Sequence, residues 1–85
     1  MKQHINPVFT HFATQLKLRR KTLGLSQESL ALLADVDRTF VSQIERGIGN
    51  PSLLIMTRLA AALDIELHQL LQPELPMPLH FDPTP

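Results

Sequence analysis

Residues 26–46, SQESLALLADVDRTFVSQIER, decide the fold of this chain of 85 residues. Two short helical patterns lie on either side of the segment Asp35-Val36-Asp37. Ser26 is a suitable N-cap for the first helix and Asp37 for the second, because their side-chain oxygens accept hydrogen bonds from the first-turn N–H groups. The stretch therefore predicts two capped helices joined by a tight turn.

The spacing of apolar residues predicts the inner faces of these two helices. The first helix is expected to bury Leu30, Leu33 and Ala34, and the small side chain of Ala31 allows a neighbouring helix to approach closely. The second helix is expected to bury Val41 and Ile44, which are separated by one turn. We expect Gly47 to end this second helix.

Three more helices are predicted on either side of this pair. Residues 8–23 form the first, with Phe9, Phe12, Leu16 and Leu23 on one face and Gly24 as its left-handed stop. Ser52 caps a fourth helix, whose inner face runs through Ile55 or Met56, Leu59, Ala60 and Leu63. A short fifth helix begins at Ile65, contains Leu67, Leu70 and Leu71, and ends at Pro73. The sequence thus predicts an all-α domain, a five-helix bundle with short connections and a Pro-rich C-terminal extension.

The composition indicates one small domain with one core. Its expected parts are an N-terminal extension (residues 1–8), the helical domain (residues 9–72) and a Pro-rich tail (residues 73–85). The chain has no cysteine, so a disulfide framework and cysteine-ligated metal sites are excluded. No apolar run reaches the roughly 20 residues of a membrane span, and the N-terminus lacks a signal-peptide core. We therefore expect a cytoplasmic protein without membrane association.

The formal net charge of 0 hides an asymmetry between the two ends of the chain. Residues 1–60 carry all eight Lys and Arg against four acidic residues, a formal balance of +4. Residues 61–85 carry four acidic residues and no Lys or Arg, a balance of −4. A basic first part and an acidic last part of the chain suit a protein that turns one side toward a polyanion. The alternative is that so few charged residues are unevenly distributed by chance.

The outward face of the second helix in residues 26–46 carries side chains that can form specific contacts with DNA bases. Arg38, Thr39, Ser42 and Gln43 face away from Val41 and Ile44 when the helix starts near Asp37. Arginine can bind guanine with two hydrogen bonds, glutamine can do the same for adenine, and threonine offers a methyl group to thymine. The alternative is an ordinary solvated helix face, since any surface helix is polar.

Four further residues are candidates for phosphate contacts. Gln27 stands at a helix N-terminus, where N–H groups and the helix dipole attract phosphate. Asn50 and Ser52 flank a glycine-containing loop that leads to another helix N-terminus. Arg46 can touch phosphate or simply complement the dipole at the end of its helix. Gln27 as a plain first-turn residue and Ser52 as a plain cap are the structural alternatives.

The stretch GLSQESLALLADVDRTFVSQIERGIGNPSLLIMTRLAAALDIELHQLL resembles the lambda-repressor-like, or Xre-type, helix-turn-helix family, which includes Cro and phage repressors. The resemblance covers about residues 12–72. Within that family, DRTFVSQIERG together with NPSL looks most like the controller proteins of restriction–modification systems. Two positions depart from the controllers: Gly49 stands where their loop often has a basic residue, and Phe40 stands where many have tyrosine.

This resemblance implies a five-helix bundle that binds palindromic operators in double-stranded DNA as a homodimer, without catalysis. It implies base contacts at Arg38, Thr39, Ser42 and Gln43, and phosphate contacts at Gln27, Arg46, Asn50 and Ser52. It also implies an internal pair, Arg20 with Glu45, that tethers the first helix to the third. The residues themselves leave open that these two are separate surface charges.

Nothing in the sequence favours an enzyme, a cofactor or a metal site. The histidines, at positions 4, 11, 68 and 80, are scattered, and no two have zinc-ligand spacing within one element. There is no glycine-rich nucleotide loop. We therefore expect a protein that binds rather than catalyses.

The tail has an alternating apolar pattern. Leu75, Met77, Leu79 and Phe81 would share one face of an extended strand. This pattern suits an arm that crosses to a second subunit or binds a partner protein, whereas a disordered polyproline-like tail is the alternative.

The sequence as a whole predicts a DNA-binding transcriptional regulator that acts as a repressor, with autoregulation and restriction–modification control as its candidate roles. The competing hypothesis is a protein-interaction module, such as an antitoxin or adaptor, that binds its partner through residues 73–85. RNA binding is disfavoured because no exposed aromatic platform is predicted.

Overall fold

The computed structural model describes residues 7–72, which form five α-helices. Their bounds are α1 Pro7–Thr22, α2 Gln27–Ala34, α3 Arg38–Glu45, α4 Leu53–Ala62 and α5 Leu67–Leu71. No strand occurs within residues 7–72, so the predicted all-α, five-helix architecture is confirmed. Helix α1 starts at a proline, which is favourable at the first helical position because the missing N–H would have no partner there.

Helix α1 thus begins two residues before the expected domain start at residue 9. The tail at residues 73–85, with its predicted arm, lies outside the described residues.

One hydrophobic core lies between the helices, and all five helices contribute to it. Its buried members on α1, α2 and α3 are Phe12, Ala13, Leu16, Leu30, Ala31, Ala34, Val41 and Ile44. Leu59, Ala60 and Leu70 come from α4 and α5, and Leu63 follows α4 directly. Helix α2 packs against both α3 and α4, which places the two helices of residues 26–46 on the rest of the domain as a unit.

Two predicted core residues are exposed. The side chain of Leu33 is 61% exposed, because α2 meets its neighbours through Leu30, Ala31 and Ala34, and Leu33 lies outside this stripe. Leu23 is 43% exposed, because α1 ends at Thr22 and the chain turns before Leu23 can continue the apolar face. Both predictions were therefore wrong.

The three predicted N-caps are confirmed. Ser26 Oγ accepts a hydrogen bond from the N–H of Ser29 at 2.9 Å. Asp37 caps α3 by accepting from the N–H of Thr39 at 3.2 Å, and Ser52 caps α4 by accepting from the N–H of Ile55 at 3.2 Å. The fifth helix starts later than predicted, at Leu67 rather than Ile65, with Glu66 as its N-cap.

Helix α3 ends where the sequence predicts, at a left-handed glycine. Gly47 has φ +77° and donates its N–H to the carbonyl of Ile44 at 2.9 Å, while Ile48 donates to the carbonyl of Gln43 at 2.8 Å. This pair of bonds satisfies carbonyls that the helix end would otherwise leave without partners. The turn also directs the following loop back along α3.

Within residues 7–72, no helix is long and apolar enough to cross a membrane. The same part of the chain contains no cluster of three or more histidine, aspartate or glutamate side chains that could hold a metal ion.

Candidate nucleic-acid interface

Helix α3 turns a polar face outward from a fully buried apolar side. Val41 is completely buried and Ile44 is 2% exposed, which fixes the rotation of the helix about its axis. Arg38 and Thr39 are exposed, and Ser42 and Gln43 are half-buried one turn later. Residues three and four apart are neighbours on a helix surface, so these four candidate base contacts form one continuous face.

The last turns of α1 and α3 are joined by Arg20 and Glu45, the two residues that the resemblance pairs. Arg20 Nε donates to Glu45 Oε2 at 2.6 Å, and Arg20 Nη2 donates to Glu45 Oε1 at 2.9 Å. This two-bond geometry is the strong form of an arginine–carboxylate pair. Only 9% of the Arg20 side chain and 2% of the Glu45 side chain are exposed, so water screens the pair weakly.

Two further hydrogen bonds extend this pair. Arg20 Nη1 donates to the carbonyl oxygen of Leu25 at 2.7 Å, which fixes the turn between α1 and α2. Gln27 Nε2 donates to Glu45 Oε1 at 3.1 Å. We refer to Arg20, Gln27 and Glu45 together as the Glu45 node. It connects α1, α2 and α3 at one point.

Arg20 is the positively charged member of the node. The hydrogen bond to Glu45, together with the attraction of its charge, raises the pKa of Arg20 above the usual arginine value, and burial acts in the opposite direction. Arginine is already protonated at any physiological pH. The cation of the node is therefore permanent.

The candidate phosphate contacts lie at helix ends. Gln27 is the first residue of α2, and its side-chain amide is held by Glu45, a link that the sequence analysis missed. Arg46 is exposed at the C-terminus of α3, and Asn50 is exposed in the loop that follows. Ser52 is the N-cap of α4, so its structural role is present whether or not it also meets phosphate.

Some of the basic side chains are engaged within the protein. Arg19 Nε donates to the carbonyl oxygen of Leu63 at 3.3 Å, just after α4. Arg58 Nη1 donates to the carbonyl oxygen of Asp35 at 3.4 Å, at the end of α2. Cations near helix C-termini complement the helix dipole. Part of the basic excess in residues 1–60 therefore stabilises the fold, whether or not the protein also binds a polyanion.

Phe40 is a feature of this surface to which the sequence analysis assigned no role. Its side chain is 47% exposed on α3, beside Thr39 and Gln43. A helical wheel gives the signal, because position 40 lies between Ile44 and Gln43, at the border between the buried side and the outward face. The resemblance had marked Phe40 only as a departure from tyrosine.

Known proteins resemble this chain in both sequence and structure. The helix-turn-helix family HTH_3 matches residues 16–70. The control protein C.MunI from Mycoplasma sp. is 42% identical over 67 residues, covering 78% of this chain and 90% of the relative. The restriction–modification controller protein C.AhdI from Aeromonas hydrophila superposes with a TM-score of 0.70 at 45% identity, covering 73% of this chain and 94% of the controller.

A second similar structure contains DNA. The biofilm regulator SinR, crystallised in complex with DNA, superposes with a TM-score of 0.67 at 36% identity, covering 71% of this chain and 97% of that one. The five-helix fold and these similarities in sequence lead to one conclusion. The chain belongs to the helix-turn-helix family HTH_3 of DNA-binding transcriptional regulators, and restriction–modification controllers are among its relatives.

Proposed function

We propose that this protein is a sequence-specific transcriptional regulator that binds a palindromic operator in double-stranded DNA as a homodimer. The observation that carries the proposal is the outward face of α3, where Arg38, Thr39, Ser42 and Gln43 are adjacent and accessible. Two copies of α3 enter successive major grooves about 34 Å apart, which is one helical turn of DNA.

Within this arrangement, α3 reads bases and its surroundings hold the backbone. Arg38 and Gln43 have the side chains that form paired hydrogen bonds to guanine and adenine. Gln27, Arg46, Asn50 and Ser52 contact phosphates at the ends of α2, α3 and α4, which positions α3 in the groove without reading sequence. The Glu45 node keeps Gln27 in a fixed position relative to α3.

The biological role that we infer is repression, including control of the protein's own gene. C.MunI and C.AhdI are control proteins, which supports a place in a restriction–modification system. If the protein binds its operator as a homodimer, operator occupancy depends on protein concentration through the dimerisation equilibrium.

The proposal is tested by fluorescence anisotropy with DNA from upstream of the protein's own gene and with a scrambled duplex, over a salt series. We expect tight, salt-dependent binding to the upstream DNA and weak binding to the scrambled duplex. Equal weak binding to both duplexes, followed by failure to enrich any sequence from a random pool, would contradict sequence-specific recognition.

Two sets of variants separate base reading from phosphate contact. Arg38→Ala and Gln43→Ala should each remove about 1–3 kcal/mol of preference for one base pair while leaving the weak binding to scrambled DNA in place. Asn50→Ala should weaken binding to both duplexes by a similar factor and lower the salt dependence. Identical effects of the two sets on both duplexes would contradict the assigned roles.

A further inference from the structure

The surface around α3 contains an apolar patch that is not part of the hydrophobic core. Phe40 on α3 is 47% exposed, and Ile48 in the following loop is 48% exposed. Together with Ile44 and Pro51 they border a small depression of about 50 Å³ on one side of Gln43. We refer to Phe40 and Ile48 as the apolar patch.

A second depression also borders Phe40. It measures about 200 Å³ and is lined by Asp37, Thr39, Phe40 and Gln43. Thr39 and Gln43 are two of the four proposed base contacts. Phe40 thus borders the same depression as these two proposed base contacts.

The chemistry of DNA identifies what this ring can meet. The base edges in the major groove are hydrogen-bond donors and acceptors, with one apolar exception, the C5-methyl group of thymine. Cytosine has hydrogen at this position, and 5-methylcytosine has the same methyl group as thymine. An exposed phenylalanine ring has no hydrogen bond to offer a base edge, but it can take a methyl group out of water.

We propose that Phe40, with Thr39 and Gln43 around it, contacts the C5-methyl group of a pyrimidine in the operator. The protein then distinguishes a methylated pyrimidine, thymine or 5-methylcytosine, from one without the methyl group. This inference rests on the proposed function, because it requires α3 to lie in the major groove. It adds a specificity-determining residue outside the set Arg38, Thr39, Ser42 and Gln43.

The test removes single methyl groups from the DNA. A high-affinity duplex is selected from a random-sequence pool with the full chain, and each thymine is replaced in turn by deoxyuridine, which pairs identically but lacks the methyl group. At one thymine in each half-site we expect the dissociation constant of the wild-type protein to rise by about fourfold, the factor for returning one buried methyl group to water. For Phe40→Ala, this substitution should change the dissociation constant little.

If the selected half-site has cytosine rather than thymine at the contacted position, the same experiment uses 5-methylcytosine. Methylation of that cytosine should then strengthen wild-type binding by a similar factor and leave Phe40→Ala binding unchanged. The two arms thereby distinguish thymine from 5-methylcytosine as the source of the methyl group.

Leu18→Ala serves as the matched control, because Leu18 is 52% exposed and lies on α1, which carries none of the proposed base contacts. It should show the same methyl dependence as the wild type. Phe40→Leu, which retains an apolar side chain, should keep part of that dependence, and thermal unfolding verifies that each variant is folded.

The outcomes for the inference and for the proposed function are separate. Selection of a preferred sequence, followed by methyl effects that are absent or equal in the wild type and Phe40→Ala, overturns methyl reading by Phe40 alone. If the wild type prefers no sequence over scrambled DNA, the proposed function is overturned along with the inference.

Discussion

Glu45 is the residue on which the geometry of the interface depends most. Its carboxylate accepts hydrogen bonds from two nitrogens of Arg20 and from the side-chain amide of Gln27, although only 2% of the side chain is exposed. A buried ion pair adds little net stability compared with apolar packing. Removing one partner is costly, however, because the other charge remains buried without compensation.

We therefore expect Glu45→Ala to lower the free energy of unfolding by about 3 kcal/mol, since Arg20 would keep its charge in a mostly buried position. Urea denaturation followed by circular dichroism measures this change. Glu28→Ala is the matched control, because Glu28 is an exposed acidic residue in the first turn of α2 and should change stability by less than about 1 kcal/mol. Equal losses in the two variants would show that the node does not hold the helices together.

Only part of this node could be predicted from the sequence. The arginine–glutamate pair came from the register of the family resemblance, because residues 20 and 45 are far apart in the chain and no periodicity connects them. The bond from Gln27 to Glu45 was missed, since it depends on the angle at which α2 crosses the end of α3. That angle results from packing of the whole bundle.

At the scale of elements, the start of α4 combines a structural role with a proposed binding role. Ser52 Oγ accepts a hydrogen bond from the N–H of Ile55. Ser52 also directly follows the loop that contains Asn50. Loss of such a cap typically costs about 1 kcal/mol. The cap and the phosphate contact can be separated, because several residue types can cap a helix but differ in charge.

Ser52→Asp should keep the stability of α4 and weaken DNA binding, because aspartate is a good N-cap but repels phosphate. Ser52→Asn is the matched control, since it also caps a helix and carries no charge. We expect the unfolding free energies of the two variants to agree within about 0.5 kcal/mol, and only the aspartate variant to bind DNA several-fold more weakly. Comparable DNA affinities for the two variants would place Ser52 away from the phosphates.

The elements themselves could be predicted well, because their signals are local. Ser26, Asp37 and Ser52 mark helix starts through their side-chain oxygens. Gly24 and Gly47 mark helix ends because glycine readily adopts positive φ. The inner face of α2 could not be predicted fully. A helix of eight residues has too few turns to define one stripe, and the contacts with α3 and α4 selected Ala31 over Leu33.

At the scale of the whole molecule, we propose that the protein dimerises through its tail. The alternating apolar residues at positions 75–81 suit an arm on a second subunit, but they lie outside the described residues. In the proposed mode of binding, two copies of α3 are needed because a palindromic operator presents two half-sites.

Truncation after Gln72 should convert the proposed dimer to a monomer, because it removes four apolar side chains from the proposed arm. Light scattering coupled to gel filtration measures the mass, with thermal unfolding to verify that residues 7–72 still fold. The control is a full-length variant with Thr84→Ala, which leaves those four residues intact. An unchanged dimer after truncation would exclude the arm. If the truncated protein no longer bound a partner protein but still bound DNA, the result would instead favour a protein-interaction module that uses residues 73–85.

The position of the Glu45 node has a consequence for how such proteins diversify. The node fixes the orientation of α3 through Arg20, Gln27 and Glu45, none of which is among the outward residues of that helix. Those outward residues can be exchanged without disturbing the framework that aims them. In the proposed mode of binding, a few substitutions at these outward positions therefore change the target sequence while the fold stays the same.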